Sequence, residues 1–209
     1  MKALLSCFIF AACQLCTAAE DTHFIALSEW SKPISLRNDQ LHDEAIRGRL
    51  LIVQGLEPAY GGPPTTNGAM TFIELQNVSG ACCDSIDVCF AVTNLHCEMS
   101  AAMGKAVPKL TRAWGGRGPA PPCWVNLPYN STIRLFVDSG TMEPLTVYPG
   151  GEPWCYWSIP RSDTNIYYLA GTLNLSTHTN YTGPPELRDK MLFDEYRATL
   201  VFPKTRITR

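Results

Sequence analysis

Apolar and polar residues alternate with a period of two along several short stretches of this chain. The alternation is clearest in residues 86–92 and 133–137, where one set of side chains is apolar and the other set is more mixed. Such a period is typical of β-strands that have one face in the core. The residues expected to point inward are Ile86, Val88, Phe90, Ile133, Leu135 and Val137.

Clusters of glycine and proline separate the strand candidates. The largest clusters lie in residues 60–68, 115–122 and 149–153 and predict loops or tight turns. Further strand candidates are residues 49–53, 71–77, 154–159, 166–173 and 198–202. About eight strands at roughly ten-residue spacing predict an all-β fold, an antiparallel β-sandwich of the Ig-like or jelly-roll-like type. One short helix is expected near the C-terminus, in residues 184–196, with Pro185 in its first turn.

The N-terminal residues have the layout of a secretory signal peptide. Lys2 precedes an apolar run that ends near Cys13, and small residues occupy positions 17–19. The run is too short to span a bilayer of about 30 Å, and no later stretch is longer, so no transmembrane span is expected. The sequence therefore predicts a signal peptide (1–19), an irregular leading segment (20–45) and a β-sandwich domain (46–209). We expect a secreted or periplasmic protein; lipid anchoring through Cys13 is the alternative, because residues 10–13 approximate a lipoprotein box.

Charge excludes one class of partner. The chain has 17 Lys and Arg against 19 Asp and Glu, and the basic residues are scattered along it. Nucleic-acid binding requires a concentrated basic surface, so no nucleic-acid partner is expected.

Six cysteines follow the signal peptide, and an even number in an exported domain favours disulfides. The disulfide candidates are Cys82, Cys83, Cys89, Cys97, Cys123 and Cys155, whose spacing leaves all pairings open. Free buried thiols are the alternative. Residues 20–209 contain no C-x₂-C or H-x₃₋₅-H unit, so neither a metal site nor a cofactor is expected.

Tryptophan and tyrosine are concentrated in one part of the chain. Trp154, Tyr156 and Trp157 lie within four residues, and Trp124 lies in a neighbouring segment. In an extended strand Trp154 and Tyr156 share one face, whereas Trp157 lies on the other. These four residues are the candidate binding site, since exposed aromatic rings can stack on sugars. The alternative is that they belong to the core.

One triplet resembles an enzyme signature. Asp138-Ser139-Gly140 follows an apolar strand, as the Asp-Ser/Thr-Gly triplet does in aspartic proteases. That mechanism needs two carboxylates, so the enzyme would have to be a dimer. The turn preferences of Asp, Ser and Gly also explain the triplet as a strand ending in a turn. No catalytic residue is therefore assigned.

Several strand-and-turn segments resemble those of one group of proteins. The segments are EWS (29–31), IRGRL (46–50), ELQN (74–77), GKAVP (104–108), LPY (127–129), WSIP (157–160), YYLAGTL (167–173) and LVFPK (200–204). In these the chain is similar to exported single-domain β-sandwich proteins of unknown function, which are abundant in planctomycete-type bacteria. The resemblance implies a fold and an exported location but no activity.

These observations predict an exported, non-catalytic β-sandwich with a binding or structural role at the cell envelope or outside it. The sequence does not identify the partner; a polysaccharide and an envelope protein are the candidates. The first alternative is a carbohydrate-binding module that uses the aromatic residues, and the second is a dimeric aspartic protease that uses Asp138.

Overall fold

The computed structural model describes residues 23–34, 46–55, 68–79, 85–111, 123–148, 150, 155–175 and 198–208, with the backbone alone at 85–87. The predicted signal peptide, most of the leading segment and the helix expected at 184–196 lie outside these residues. Within them the chain forms twelve strands and one 3₁₀ turn (Val92–Asn94), without any α-helix.

The strands follow one another as β1 (Phe24–Leu27), β2 (Ile46–Gly55), β3 (Gly68–Asn77), β4 (Ser85–Phe90), β5 (Leu95–Ala101), β6 (Leu110–Thr111), β7 (Cys123–Pro128), β8 (Thr132–Thr141), β9 (Leu145–Val147), β10 (Cys155–Ile159), β11 (Tyr167–Leu175) and β12 (Ala198–Arg206). They pair in the orders β1-β2-β3-β8, β6-β10-β9, β12-β11-β5 and β4-β7, and each pairing is antiparallel. The predicted all-β, antiparallel class is confirmed. The expected number of strands was too low. The sequence-based candidates did not include β1, β5, β6, β7 or β9, of which β6 and β9 have only two and three residues.

The orientation predicted for β8 is confirmed. Leu135 and Val137 are buried and Ile133 packs against the core, whereas Phe136 is 40% exposed. In β4 the predicted alternation of buried and exposed side chains is confirmed only in part. Val88 and Phe90 are buried as expected, but Cys89, expected on the opposite face, is buried too, and it lies opposite Trp124 of β7. The structure describes only the backbone of Ile86, so the orientation of its side chain stays a prediction.

The inner face of the four-stranded sheet packs against β12. Ile46, Leu50 and Ile52 of β2 are fully buried on this face, with Gly48 between them. A Cβ atom at Gly48 would lie 3.0 Å from a ring carbon of Phe202 and 3.1 Å from a methyl group of Leu200. The glycine therefore allows β2 to approach β12 closely, and one core is shared between the two sheets.

The outer face of the same sheet is more polar. It carries Arg47 and Arg49 of β2, Glu74 and Gln76 of β3, and Arg134 of β8. This face is the starting point for the functional site. Among the described residues no helix is long and apolar enough to cross a membrane.

Candidate functional site

Three rows of side chains cross the outer face of the four-stranded sheet. Residues directly opposite one another in antiparallel strands point to the same face, so the pairing register decides which residues meet. The rows are Arg47–Gln76–Thr132, Arg49–Glu74–Arg134 and Leu51–Phe72–Phe136. The register thus brings arginines from distant parts of the chain together.

Glu74 is the centre of the middle row. Its side chain is only 6% exposed, and both of its carboxylate oxygens accept hydrogen bonds. Arg49 Nε donates to Oε2 at 2.6 Å, while Nε and Nη2 of Arg134 donate to Oε1 at 2.9 and 2.7 Å. Charge-assisted pairs of this kind are short and directional. One carboxylate therefore holds two guanidinium groups in fixed positions.

Arg47 adds a further positive charge beside this row. Its Nε donates to Oε1 of Gln76 at 2.7 Å, and within the described part of the chain it has no carboxylate partner. Among the described residues of this face, the three arginines exceed the one carboxylate by two charges, whereas the whole chain has a net charge of −2. The face is therefore a local region of positive charge on a slightly acidic protein.

Aromatic rings border the arginines. The guanidinium carbons of Arg47 and Arg49 lie 4.9 and 4.5 Å from the centre of the Trp30 ring. The guanidinium carbon of Arg134 lies 5.7 Å from the Phe72 ring, and Phe72 meets Phe136 edge-to-face at 5.6 Å. Cation–π attraction at these distances holds the guanidinium groups beside the rings.

The backbone around Trp30 explains its position. Ser28 N and Ser31 N donate to the carbonyl oxygens of Leu50 and Gly48 at 2.9 and 2.8 Å. The hydroxyl oxygens of the same serines accept hydrogen bonds from Leu50 N and Gly48 N, both at 3.0 Å. This clamp fixes residues 28–31 along β2 and places the half-buried Trp30 over the arginines. We call Trp30, Arg47, Arg49, Phe72, Glu74, Gln76, Arg134 and Phe136 the arginine–aromatic face.

The candidate residues from the aromatic-rich segment do not form one platform. Trp157 is only 1% exposed, and its Nε1 donates to the carbonyl oxygen of Val107 at 3.0 Å. A ligand cannot reach this ring, so its assignment to a binding site is corrected: its face of β10 packs into the core. Trp124 is half-buried on β7, in a different sheet from Tyr156. Trp154 lies outside the described residues.

Tyr156 does lie on an accessible surface. It is half-buried, its ring centre lies 6.2 Å from that of Tyr148, and the two planes are tilted by 42°. On its other side it pairs with Leu110 of β6, which is 45% exposed. We call Leu110, Tyr148 and Tyr156 the tyrosine strip.

The cysteines are buried to different degrees. No disulfide joins any two of Cys89, Cys97, Cys123 and Cys155. Cys82 and Cys83 lie outside the described residues, so a disulfide that involves either of them stays a prediction.

Burial disfavours the thiolate form of three of these cysteines. Burial, together with the neighbouring Cys123, raises the pKa of Cys89 to about 11. Burial raises the pKa of Cys97 to about 12, against an opposing effect of Lys109, and burial also raises the pKa of Cys123. Cys89 and Cys97 lie in the core, whereas Cys123 is exposed. Because the thiolate is the reactive form, all three thiols are poorly suited to nucleophilic catalysis.

The pKa of Cys97 gives a pH-dependence prediction. The folded chain holds this proton more tightly than the unfolded chain does, so stability is complete below the ordinary value of 9.0 and falls as the pH rises toward about 12. At about pH 10, one unit above the ordinary value, the loss is about 1 kcal/mol. Urea unfolding of wild type and Cys97→Ala isolates this effect, because the other titrating groups are common to both. The difference in stability between them should shrink between about pH 8 and about pH 10, and a constant difference would contradict the assignment.

The Asp-Ser-Gly triplet does not lie in a turn. Asp138, Ser139 and Gly140 are inside β8, which continues to Thr141. Asp138 is exposed, lies opposite Thr71, and its Oδ1 accepts a hydrogen bond from Ser139 N at 2.8 Å. Gly140 is needed because a Cβ atom there would overlap the carbonyl group of Thr146. The turn interpretation is therefore wrong, and close packing of β8 against β9 explains the glycine.

Metal-ligating residues are not clustered in the described ranges, where no three His, Cys, Asp or Glu side chains could share an ion.

The arginine–aromatic face was not predicted from the sequence. The available signal was the two-residue spacing of Arg47 with Arg49 and of Glu74 with Gln76, which places each pair on one side of a strand.

The function has to be inferred from this geometry, because comparison with known proteins gives no assignment. No family model, curated protein or solved structure matches the chain.

Proposed function

We propose that this protein is an exported, non-catalytic binding domain of β-sandwich architecture, and that the arginine–aromatic face binds an acidic polysaccharide at the cell envelope or outside it. The observation that carries this proposal is the arrangement of Arg47, Arg49 and Arg134 around a single carboxylate beside accessible aromatic rings. The close approach of Gly48 to Phe202 supports the sandwich, because it packs two antiparallel sheets face to face.

The positions of the charges favour a polymer. Arg49 and Arg134 lie on strands that flank β3, so their backbones are separated by about 9.6 Å. Arg47 and Arg49 are two residues apart on one strand, a separation of about 6.8 Å. A ligand with repeated carboxylates can meet several of these guanidinium groups at once, and arginine recognises carboxylates through paired hydrogen bonds.

The rings favour a saccharide among polymeric anions. Trp30 is half-buried and Phe136 is 40% exposed, so both present apolar surface next to the charges. Sugar rings have apolar faces that pack against such surfaces, while their hydroxyl groups can bond Gln76 and the free donors of Arg47. A polyuronate combines both kinds of group.

The test is binding to polygalacturonate. Arg47→Gln removes one positive charge from the face without unpairing a carboxylate, and Arg161→Gln removes the same charge from a surface ion pair with Glu143. We expect Arg47→Gln to weaken binding about tenfold, the effect of losing one hydrogen bond between charged groups, and Arg161→Gln to leave it unchanged. Added salt should weaken wild-type binding through screening.

Two results would contradict this assignment. One is the absence of polygalacturonate binding by the wild type at low salt, and the other is an equal affinity of Arg47→Gln and wild type. A loss of binding in Tyr156→Ala, with Arg47→Gln unaffected, would instead favour the tyrosine strip. That strip supports the second candidate function, a module for neutral carbohydrate, because the ring of Tyr148, which follows β9, lies beside that of Tyr156 on β10.

A further inference from the structure

A cleft of about 310 Å³ lies between the loop that joins β10 to β11 and the C-terminal end of β12. Its loop wall consists of residues 163–167 and its other wall of residues 206–208. This volume is at the lower end of the range for small-molecule sites. It shares no residue with the arginine–aromatic face or with the tyrosine strip.

The loop wall is held in one conformation by Asp163. Asn165 N donates to Oδ1 of Asp163 at 2.8 Å, and the Tyr167 hydroxyl donates to Oδ2 at 2.7 Å. Asp163 N in turn donates to the carbonyl oxygen of Pro160 at 3.0 Å. The carboxylate therefore organises the loop and leaves the side chain of Asn165 exposed at the cleft.

The opposite wall is fixed to two other strands. Ile207 N donates to the carbonyl oxygen of Tyr167 at 2.9 Å, and Thr208 N donates to that of Ile25 at 2.7 Å. The Thr208 hydroxyl adds a bond to the same Ile25 oxygen at 3.0 Å. Both walls are therefore in place before a ligand arrives, which limits the entropy lost on binding.

Besides the Asp163 carboxylate, whose two oxygens accept hydrogen bonds from Asn165 N and the Tyr167 hydroxyl, three kinds of group line this cleft. Arg206 is exposed and has no carboxylate partner among the residues that the structure describes. Asn165 and Thr164 supply an amide and a hydroxyl group, and Ile166 is 38% exposed and supplies an apolar surface. A matching ligand carries one anionic group, several hydroxyl groups and one apolar face.

We propose that this cleft binds a single sugar acid, a monosaccharide-sized compound with one carboxylate and several hydroxyl groups. Arg206 takes the carboxylate, Asn165 and Thr164 contact the hydroxyl groups, and the sugar ring lies against Ile166. The proposal is independent of the function proposed for the arginine–aromatic face, since the two sites have no residue in common.

The experiment is titration calorimetry of the whole protein with glucuronate, with glucose and with acetate. We expect saturable glucuronate binding that weakens at least tenfold in Arg206→Gln and clearly in Asn165→Ala, with much weaker binding of glucose. Arg161→Gln loses the same charge outside both sites and should bind glucuronate as the wild type does. Because the side chains of Arg206 and Asn165 are exposed, we expect both variants to melt at about the wild-type temperature. This measurement verifies that the variants are folded.

Three results would overturn the proposal. They are the absence of saturable glucuronate binding by the wild type, equal glucuronate affinity of wild type and Arg206→Gln, and equal affinity of the wild type for acetate and glucuronate. The last result would show a simple anion site without recognition of the sugar. A failure of Arg47→Gln to affect polygalacturonate would contradict the face alone, so the two proposals are tested separately.

Discussion

Trp157→Ala is expected to lower the free energy of unfolding by about 3–5 kcal/mol, the cost of removing a large aromatic side chain from a packed core. Trp157 is among the largest fully buried side chains, and it lies on β10 between two neighbouring strands. Its indole N–H also satisfies the carbonyl group of Val107, which the substitution leaves without this donor. Urea unfolding followed by circular dichroism measures the change.

Tyr156→Ala is the matched control, because it removes the next ring along the same strand. Tyr156 is half-buried and packs against Tyr148, so its loss should cost about 1 kcal/mol. Trp157→Phe keeps most of the apolar volume and should give an intermediate loss. If Trp157→Ala unfolds at the same urea concentration as the wild type, or if Tyr156→Ala is the more damaging change, then Trp157 is not a core residue.

Alternation identified several strands whose two faces differ, although it missed β5, where buried and exposed side chains also alternate. The stretch around Leu135 predicted a half-buried strand, and the structure places Leu135 and Val137 inside and Arg134 outside. The same pattern correctly predicted that Tyr156 and Trp157 lie on opposite faces of one strand. It could not tell which of the two faces the core, because both rings are large and apolar. Which ring faces the core depends on packing near Val107, which lies 50 positions before Trp157 in the chain.

The arginine–aromatic face could not be predicted without the register of three strands. Arg49, Glu74 and Arg134 are separated by 25 and 60 positions. A shift of one residue in either pairing would turn the opposed side chains to different faces. The prediction of a turn at Asp138 was wrong for a similar reason. Its side-chain preferences are local, whereas pairing with β3 keeps the segment extended.

Glu74→Gln is expected to lower the free energy of unfolding by about 2–3 kcal/mol, because hydrogen bonds to a charged partner are lost from a buried site. The amide keeps one acceptor oxygen and directs its NH₂ group toward a guanidinium group. Removing one partner of a fully buried ion pair costs about 3–5 kcal/mol. Here the loss is smaller, because the side chains of Arg49 and Arg134 are 26% and 41% exposed and water can solvate them.

Glu143→Gln is the control for Glu74→Gln, since it removes the same charge from an ion pair whose side chains are 82% and 62% exposed. Exposed pairs contribute about 0–1 kcal/mol, and this contribution disappears at high salt. Glu74→Gln should also raise the excess charge of the arginine–aromatic face, so the folded variant should bind polygalacturonate more tightly while being less stable. A loss of stability no larger than that of Glu143→Gln would show that Glu74 does not organise the arginines. Weaker binding by the folded variant would contradict the assignment of this face to an anionic ligand.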